Sequence, residues 1–396
     1  MVSRLKRYPT VVRIGTIVLL VALMMLGLLL AACATTATPT PAPATQAPAP
    51  TAAPAPTPAP AATQAPAAAA TKELNIWTWG IYCPDYSTKS FEQKYGVKVN
   101  CTFYQGNEEL WAKVQAGAKG IDIIQPSANF LAQFAEANLI QPIDISKVPN
   151  AKSILDNFKN ASALMVKGKQ YGVPFTWGYN GVAFRTDKVS PEPTSWAALW
   201  DEKYSKKIAF SKGASDATFA VALYLGMDIN KLDEDTDAKL EKIKEAMRKQ
   251  NPLLLKRLES LKEMQSLLAA GELWLTSADS NAIRKMQLDN QPVKVIVPKE
   301  GAGAWLDLFA IMANAPNKEN AYLWIDWMLS DNQAVNMITK VGYDVVTKSA
   351  HEALPADFKK YMSLTSEEEK RLYPYPVLKS ETLQKITAAF QDVRGQ

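Results

Sequence analysis

From residue 71 onward the chain switches repeatedly between two hydrophobic periods. Glu73–Trp79 (ELNIWTW) alternates apolar and polar side chains, the period of a strand with one buried face. Tyr86–Tyr95 follows with helical spacing, and Val97–Tyr104 (VKVNCTFY) returns to the strand period. Asn107 then stands as an N-cap before a helix over Glu108–Ala118, whose first-turn acids suit the helix dipole. A short strand at Asp122–Gln125 and a helix at Phe130–Ala137 extend the series. Strands alternating with helices predict a parallel sheet with crossover helices. Ligands of such sheets lie beyond the carboxyl ends of the strands, where Trp79, Tyr82, Gln105 and Ser127 fall.

The rhythm changes over Tyr171–Arg185 (YGVPFTWGYNGVAFR), which reads as two extended runs meeting at Gly178–Gly181, a crossing between domains. A second alternation follows. It has helices at Trp196–Trp200, Ala214–Leu225 and Asn281–Leu288, and two amphipathic helices within 236–269. Its strands are Lys207–Ser211, Glu272–Leu275 and Val293–Val297. The charged stretch Lys239–Lys262 has apolar residues at helical spacing and reads as a solvated face. Leu306–Met312 reads as a strand and Asn317–Leu329 as an amphipathic helix whose Trp324 and Trp327 face a core.

The first seventy residues follow neither period. Arg4, Lys6, Arg7 and Arg13 precede an apolar run from Ile14 to Ala32, which ends at Leu30-Ala31-Ala32-Cys33. This is the layout of a secretory signal, and Leu-Ala-Ala-Cys resembles the bacterial lipobox, in which the cysteine is lipidated after cleavage. An uncleaved membrane helix would use the same run. Both readings put the remainder outside the cytoplasm, tethered to a membrane. Residues 34–70 contain only Ala, Pro, Thr and Gln and hold ten of the 25 prolines, a composition for an extended disordered spacer or a glycosylated stalk.

This division alters the charge balance. The net charge of +5 becomes 40 basic against 39 acidic residues over 71–396, so the basic excess gives no reason to expect nucleic acid. The single histidine, His351, leaves no second imidazole for a zinc site or a spare for a catalytic triad. Cys83 and Cys101 are either a disulfide or two separate buried thiols.

Several segments together resemble the periplasmic spermidine/putrescine-binding proteins of ATP-driven (ABC) importers. They are Trp79…Tyr82-Cys83-Pro84, Asn107-Glu108-Glu109, Pro126-Ser127, Tyr171-Gly172-Val173-Pro174-Phe175-Thr176-Trp177-Gly178, Thr194-Ser195-Trp196…Leu199-Trp200, Pro298-Lys299-Glu300-Gly301…Trp305-Leu306-Asp307 and Val341-Gly342-Tyr343. The resemblance covers about 71–376. It implies an α/β, two-lobed periplasmic-binding-protein fold of type II, each lobe a mainly parallel sheet flanked by helices with the ligand cleft between them. The lobes would be 71–181 plus 306–346 and 182–305 plus 347–396, closing on ligand by a hinge. It further implies a monomeric, cofactor-free receptor that hands a small cationic amine to membrane permease subunits.

Position by position, the resemblance makes Trp79, Tyr82, Trp305 and Tyr343 aromatic wall residues and Ser127 a polar contact. Asp307 matches the principal amine-binding carboxylate, and Asp216 matches a family glutamate. Four positions depart from the family: Ile81 and Gly213 replace acids, Asn129 replaces a tyrosine and Asp279 a tryptophan. Asp279 is thus either a new ligand carboxylate or the N-cap of the helix after it, and Trp177 is either core or wall. Carboxylates and aromatic faces are what an alkylammonium chain requires. Two other functions compete: a receptor of the same fold for a neutral or anionic solute, and an extracytoplasmic hydrolase using Asp279 and Asp307 as acid and base. The absence of a nucleophile motif, metal cluster or phosphate loop weighs against the enzyme.

Overall fold

The computed structural model describes residues 72–394, except 212, 357 and 360–363. The signal segment, Cys33 and the 34–70 spacer lie outside the described residues. Among the described residues, no helix is long and apolar enough to cross a membrane.

The first half follows its hydrophobic pattern closely. Strand β1 (Glu73–Trp79) leads to α1 (Asp85–Tyr95), β2 (Lys98–Tyr104), α2 (Asn107–Gln115), β3 (Ile123–Ile124) and α3 (Ala128–Glu136). β1 pairs in parallel with both β2 and β3. Alternation along β1 sends Leu74 and Ile76 into one core, with Phe91 and Trp324, while Trp77 and Trp79 pack against a second core holding Leu110, Leu131 and Phe134. Trp327 packs at the edge of the first core.

β4 (Val173–Arg185) is one unbroken strand, in place of two runs meeting at Gly178–Gly181. Those glycines admit neighbours. A Cβ on Gly181 would lie 2.2 Å from the carbonyl oxygen of Ile296, and one on Gly178 would lie 2.5 Å from Cζ2 of Trp305. Next come β5 (Ile208–Phe210), α4 (Ala214–Tyr224), α5 (Thr236–Gln250), β6 (Leu254–Arg257), α6 (Leu261–Ala270), β7 (Leu275–Asp279), α7 (Ser280–Leu288), β8 (Val293–Ile296) and β9 (Ala302–Ile311). β6 replaces what the periodicity assigns to helix-rich sequence. β7 lies later than the expected Glu272–Leu275, and Trp196–Trp200 is a 3-10 turn. α8 (Lys318–Met328), β10 (Asp344–Val345), α9 (Lys348–Ala353), β11 (Leu372–Pro374) and α10 (Ser380–Arg394) complete the chain.

The main sheet runs β2-β1-β3-β9-β4-β7-β5-β6, with β8 and β10 also on β4 and β11 on β9. Its outer pairs are parallel, but β9 is antiparallel to β3 and β4, and β7 antiparallel to β4. The expected parallel character therefore holds at the flanks only. The two long strands β4 and β9 carry the chain between the halves. Beyond them, Phe184, Phe210, Phe219 and Phe390 share one core, and Ala183, Ala209, Leu268 and Ile283 share another. Ala350 and Leu354 belong to the core of the first half.

Candidate functional site

All eight residues expected at the site line one cleft of about 720 Å³, into which the carboxyl ends of β1, β2, β3, β5 and β7 open. Trp79 ends β1, and the turn after it carries Tyr82. Ser127 follows β3, Asp216 stands in the first turn of α4 after β5, and Asp279 ends β7. The cleft floor comes from β9 and β4. In-register pairs Gly303↔Asn180, Trp305↔Gly178 and Asp307↔Thr176 place Asn180, Trp305, Asp307 and Thr176 on one face, and Asn180↔Asp279 extends that face to β7.

Asp307 is 6% exposed and, among the described residues, accepts hydrogen bonds only from hydroxyls. Tyr82 donates to Oδ2 at 2.7 Å and Ser127 to Oδ1 at 2.6 Å. The tyrosine hydroxyl in turn accepts from Thr176 at 2.6 Å. Burial pushes the Asp307 carboxyl up to about 7, against the pull of Ser127 and Tyr82; the charges of Asp279 and Asp216 push it further. Burial, and then the charge of Asp307, hold the Tyr82 phenol well above its usual value, so it remains a donor.

Asn107 is the first residue of α2, not its cap, because Gly106 occupies the cap position. Its side chain turns to Ser127, accepting from the Ser127 amide at 2.9 Å and donating to its hydroxyl at 3.0 Å. Ser127 is thereby oriented toward Asp307.

Asp279 is a helix cap and a site residue at once. Oδ1 accepts from the amides of Asn281 and Ala282 at 2.9 and 3.0 Å, and Oδ2 accepts from the Trp305 indole at 2.7 Å. Burial raises it to about 6, moderated by those donors and by the charge of Arg284. Asp216 accepts from the Tyr375 hydroxyl at 2.8 Å and is likewise raised to about 6, chiefly by burial. Gly213 leaves room for it, since a Cβ there would lie 2.9 Å from Oδ2 of Asp216. Among the described residues, no Lys, Arg or His pairs with Asp216, Asp279 or Asp307. None of them, nor any other cluster of acids, His or Cys among the described residues, is arranged to hold a metal ion.

Aromatic rings wall the acids. Tyr82 meets Tyr343 edge-on at 5.9 Å, Trp305 lies 6.1 Å from Tyr343, and Trp79 lies 4.8 Å from Tyr104. Trp177 is on the other face of β4, packed 5.3 Å from Phe158. Cys83 and Cys101 are disulfide-bonded, which fastens the Tyr82 turn to the middle of β2. His351 lies outside the cleft, 2.6 Å from Asp344. Ile81 and Asn129, two of the departures, also line the cleft.

Three further cleft residues take part in the polar network around Asp216. Asn180 donates to the Tyr375 hydroxyl at 2.6 Å, and Tyr375 holds Asp216. Glu108 faces Asp216 from α2 and its charge contributes to the raised value there. Glu108 lies within the Asn-Glu-Glu segment already noted. Tyr375 belongs to a Tyr-Pro-Tyr-Pro run, whose extended, aromatic character was the available signal.

The profile of bacterial extracellular solute-binding proteins matches residues 87–365. The chain is 29% identical over 296 residues to the spermidine/putrescine-binding periplasmic protein 1 of Haemophilus influenzae, covering 73% of this chain and 79% of the relative. It is 27% identical over 348 residues to the putrescine-binding periplasmic protein SpuD of Pseudomonas aeruginosa, covering 83% and 93%. Among solved structures, a putative spermidine/putrescine ABC transporter protein from Listeria monocytogenes superposes with a TM-score of 0.76 at 24% identity, covering 82% and 99%. The chain belongs to the bacterial extracellular solute-binding proteins and has their two-lobed α/β fold of type II.

Proposed function

We propose that this extracellular solute-binding protein captures a small polyamine and delivers it to the membrane subunits of an ABC importer. One observation carries the reading. Asp307 is a buried carboxylate with hydroxyl donors and no protein cation in contact among the described residues, inside a ring of Trp and Tyr. Such a group is costly to ionise without a counter-charge, and an ammonium ion supplies one. The relatives named for putrescine and spermidine support the same choice.

In this reading an ammonium group docks on Asp307 beside Ser127 and Tyr82, and a second docks on Asp216. The methylenes between them lie along Trp79, Trp305 and Tyr343, whose faces also attract the cationic ends. Three acids without a paired cation among the described residues disfavour an anion, and a neutral sugar would leave their charge uncompensated. The protein makes and breaks no bonds; its work is closure of the two halves about β4 and β9. Lipidation of Cys33 and the 34–70 spacer would hold the monomeric receptor near its permease outside the cytoplasm.

Calorimetry and thermal unfolding of the purified chain with putrescine, spermidine, amino acids, dicarboxylates and sugars test the proposal. The amines raise the melting temperature and release heat on titration. A sugar or anion that binds where no amine does overturns it.

A further inference from the structure

One carboxylate of the cleft carries more than its structural partners require. Asp279 caps α7 through Oδ1 and holds the Trp305 indole through Oδ2. Asparagine or serine caps a helix about as well as aspartate, so the cap does not call for a charge. An ionised carboxylate offers about four acceptor sites, and three N–H groups fill three of them, which leaves one on Oδ2. The charge of Arg284 reaches Asp279, but its guanidinium donates to Asn281 and makes no ion pair with this acid among the described residues. Asp279 thus brings to the cleft lining a negative charge and an open acceptor.

Its contacts set it between the two acids already assigned to the ligand. Asp279 lies directly opposite Asn180, which donates to the Tyr375 hydroxyl at 2.6 Å, and Tyr375 donates to Asp216 at 2.8 Å. On the other side Asp279 holds Trp305, which shares a face of β9 with Asp307 two residues on. Its charge bears on Tyr375 at the Asp216 end and on Tyr343 at the Asp307 end. The remaining charged side chains of the lining add little net charge: Lys285 pairs with Asp289, and Glu108 and Lys262 are exposed and of opposite sign. Three carboxylates therefore face the ligand, and a diamine leaves one of them unmatched. Within the polyamine reading, on which this rests, we infer that Asp279 is a third cation seat and that the cleft recognises a linear amine with an inner ammonium group between its two ends. A secondary ammonium has an N–H for the open site on Asp279, and its flanking methylenes lie against the Trp305 ring. Without such a seat, burying the inner charge would be a penalty.

The test is calorimetry on the full chain with spermidine and with octane-1,8-diamine. The two have the same chain length, and the diamine carries a methylene where spermidine has its inner ammonium. Chain length therefore drops out of the comparison. Spermidine should bind about tenfold more tightly or better, the gain of one charge-assisted hydrogen bond. Octane-1,8-diamine binding as tightly as spermidine, or more tightly, overturns the third seat while leaving the polyamine reading intact. Binding of no amine at all removes both. Asp279→Asn keeps a capping side chain and removes the charge. In that variant the ratio of the two affinities should fall to about one or invert, whatever the change in each. An Asp279→Asn protein that melts cooperatively and keeps the spermidine preference also overturns the inference.

Discussion

The hydroxyl of Tyr82 lies 2.7 Å from Oδ2 of Asp307, although 225 residues separate them in the chain. The bond crosses from the turn after β1 to the middle of β9, and the carboxylate faces the cleft with neutral hydroxyl donors. Asp307→Asn removes the charge while keeping the shape. Amine affinity should fall by about 2–5 kcal/mol, the cost of leaving a buried charge without its partner. The ligand-free protein should unfold at the same or a higher temperature above pH 7, because a neutral amide carries no ionisation penalty. Titration calorimetry and melting curves on the same variant check both halves.

The three cleft acids set the pH response. Asp307 is raised to about 7, and Asp216 and Asp279 to about 6, above the ordinary value of about 3.9 for an unfolded chain. Groups raised on folding contribute stability below the unfolded pKa and lose it as pH climbs through the folded one. From this source the ligand-free protein weakens between about pH 4 and 7. A bound ammonium favours the ionised acids, so the ligand-induced rise in melting temperature should be larger at pH 8 than at pH 5, with protons released on binding near pH 6–7. Equal increments at the two pH values would remove these acids from the ligand's surroundings.

The Cys83–Cys101 bond spans 18 residues and restrains the segment next to Tyr82. Cys101→Ser, or reduction, should destabilise the protein by about 2–4 kcal/mol through the freed chain entropy. Amine affinity should also drop, because the Tyr82 turn loses its tie to β2. Denaturant unfolding with and without reductant gives the first number and calorimetry the second.

Gly178 is a packing position for the cleft wall. A Cβ there would lie 2.5 Å from Cζ2 of Trp305 and 2.7 Å from Nδ2 of Asn281, so Gly178→Ala must displace the indole. We expect a loss of about 1–3 kcal/mol in stability and a clear loss of amine binding. Gly80→Ala, with no atom within 4 Å of the added carbon, serves as the control for folding. Unaltered amine affinity in Gly178→Ala would show that the Trp305 position does not matter to the ligand.

Local patterns carried the elements whose burial is one-sided. β1 was legible because Leu74, Ile76 and Thr78 alternate with more exposed neighbours, and α1, α3 and α8 because their apolar residues recur at helical spacing. β6 was not, since Leu254–Arg257 is short, lies between two helices and shows no alternation. Read locally, β4 divides into two runs because glycine commonly punctuates strands, whereas in the sheet Gly178 and Gly181 serve neighbours that only packing supplies.

The residues of the cleft were named from their motifs, and the chain's own composition had already made acids and aromatics, with a single histidine, the available chemistry. What each side chain does there depended on partners distant in sequence. Asn107 could cap a helix or brace Ser127, and the brace prevails because the fold brings Ser127 to it and leaves the cap position to Gly106. Asp279 caps α7 and at the same time holds the Trp305 indole in the cleft. Tyr375 reaches Asp216 across 159 residues, a contact that no local period encodes. Periodicity reports which face of an element avoids water, because burial acts on every residue of that face. The partners of a polar side chain are decided only when the sheet is assembled, because a hydrogen bond depends on a few tenths of an ångström between groups that the chain order keeps apart.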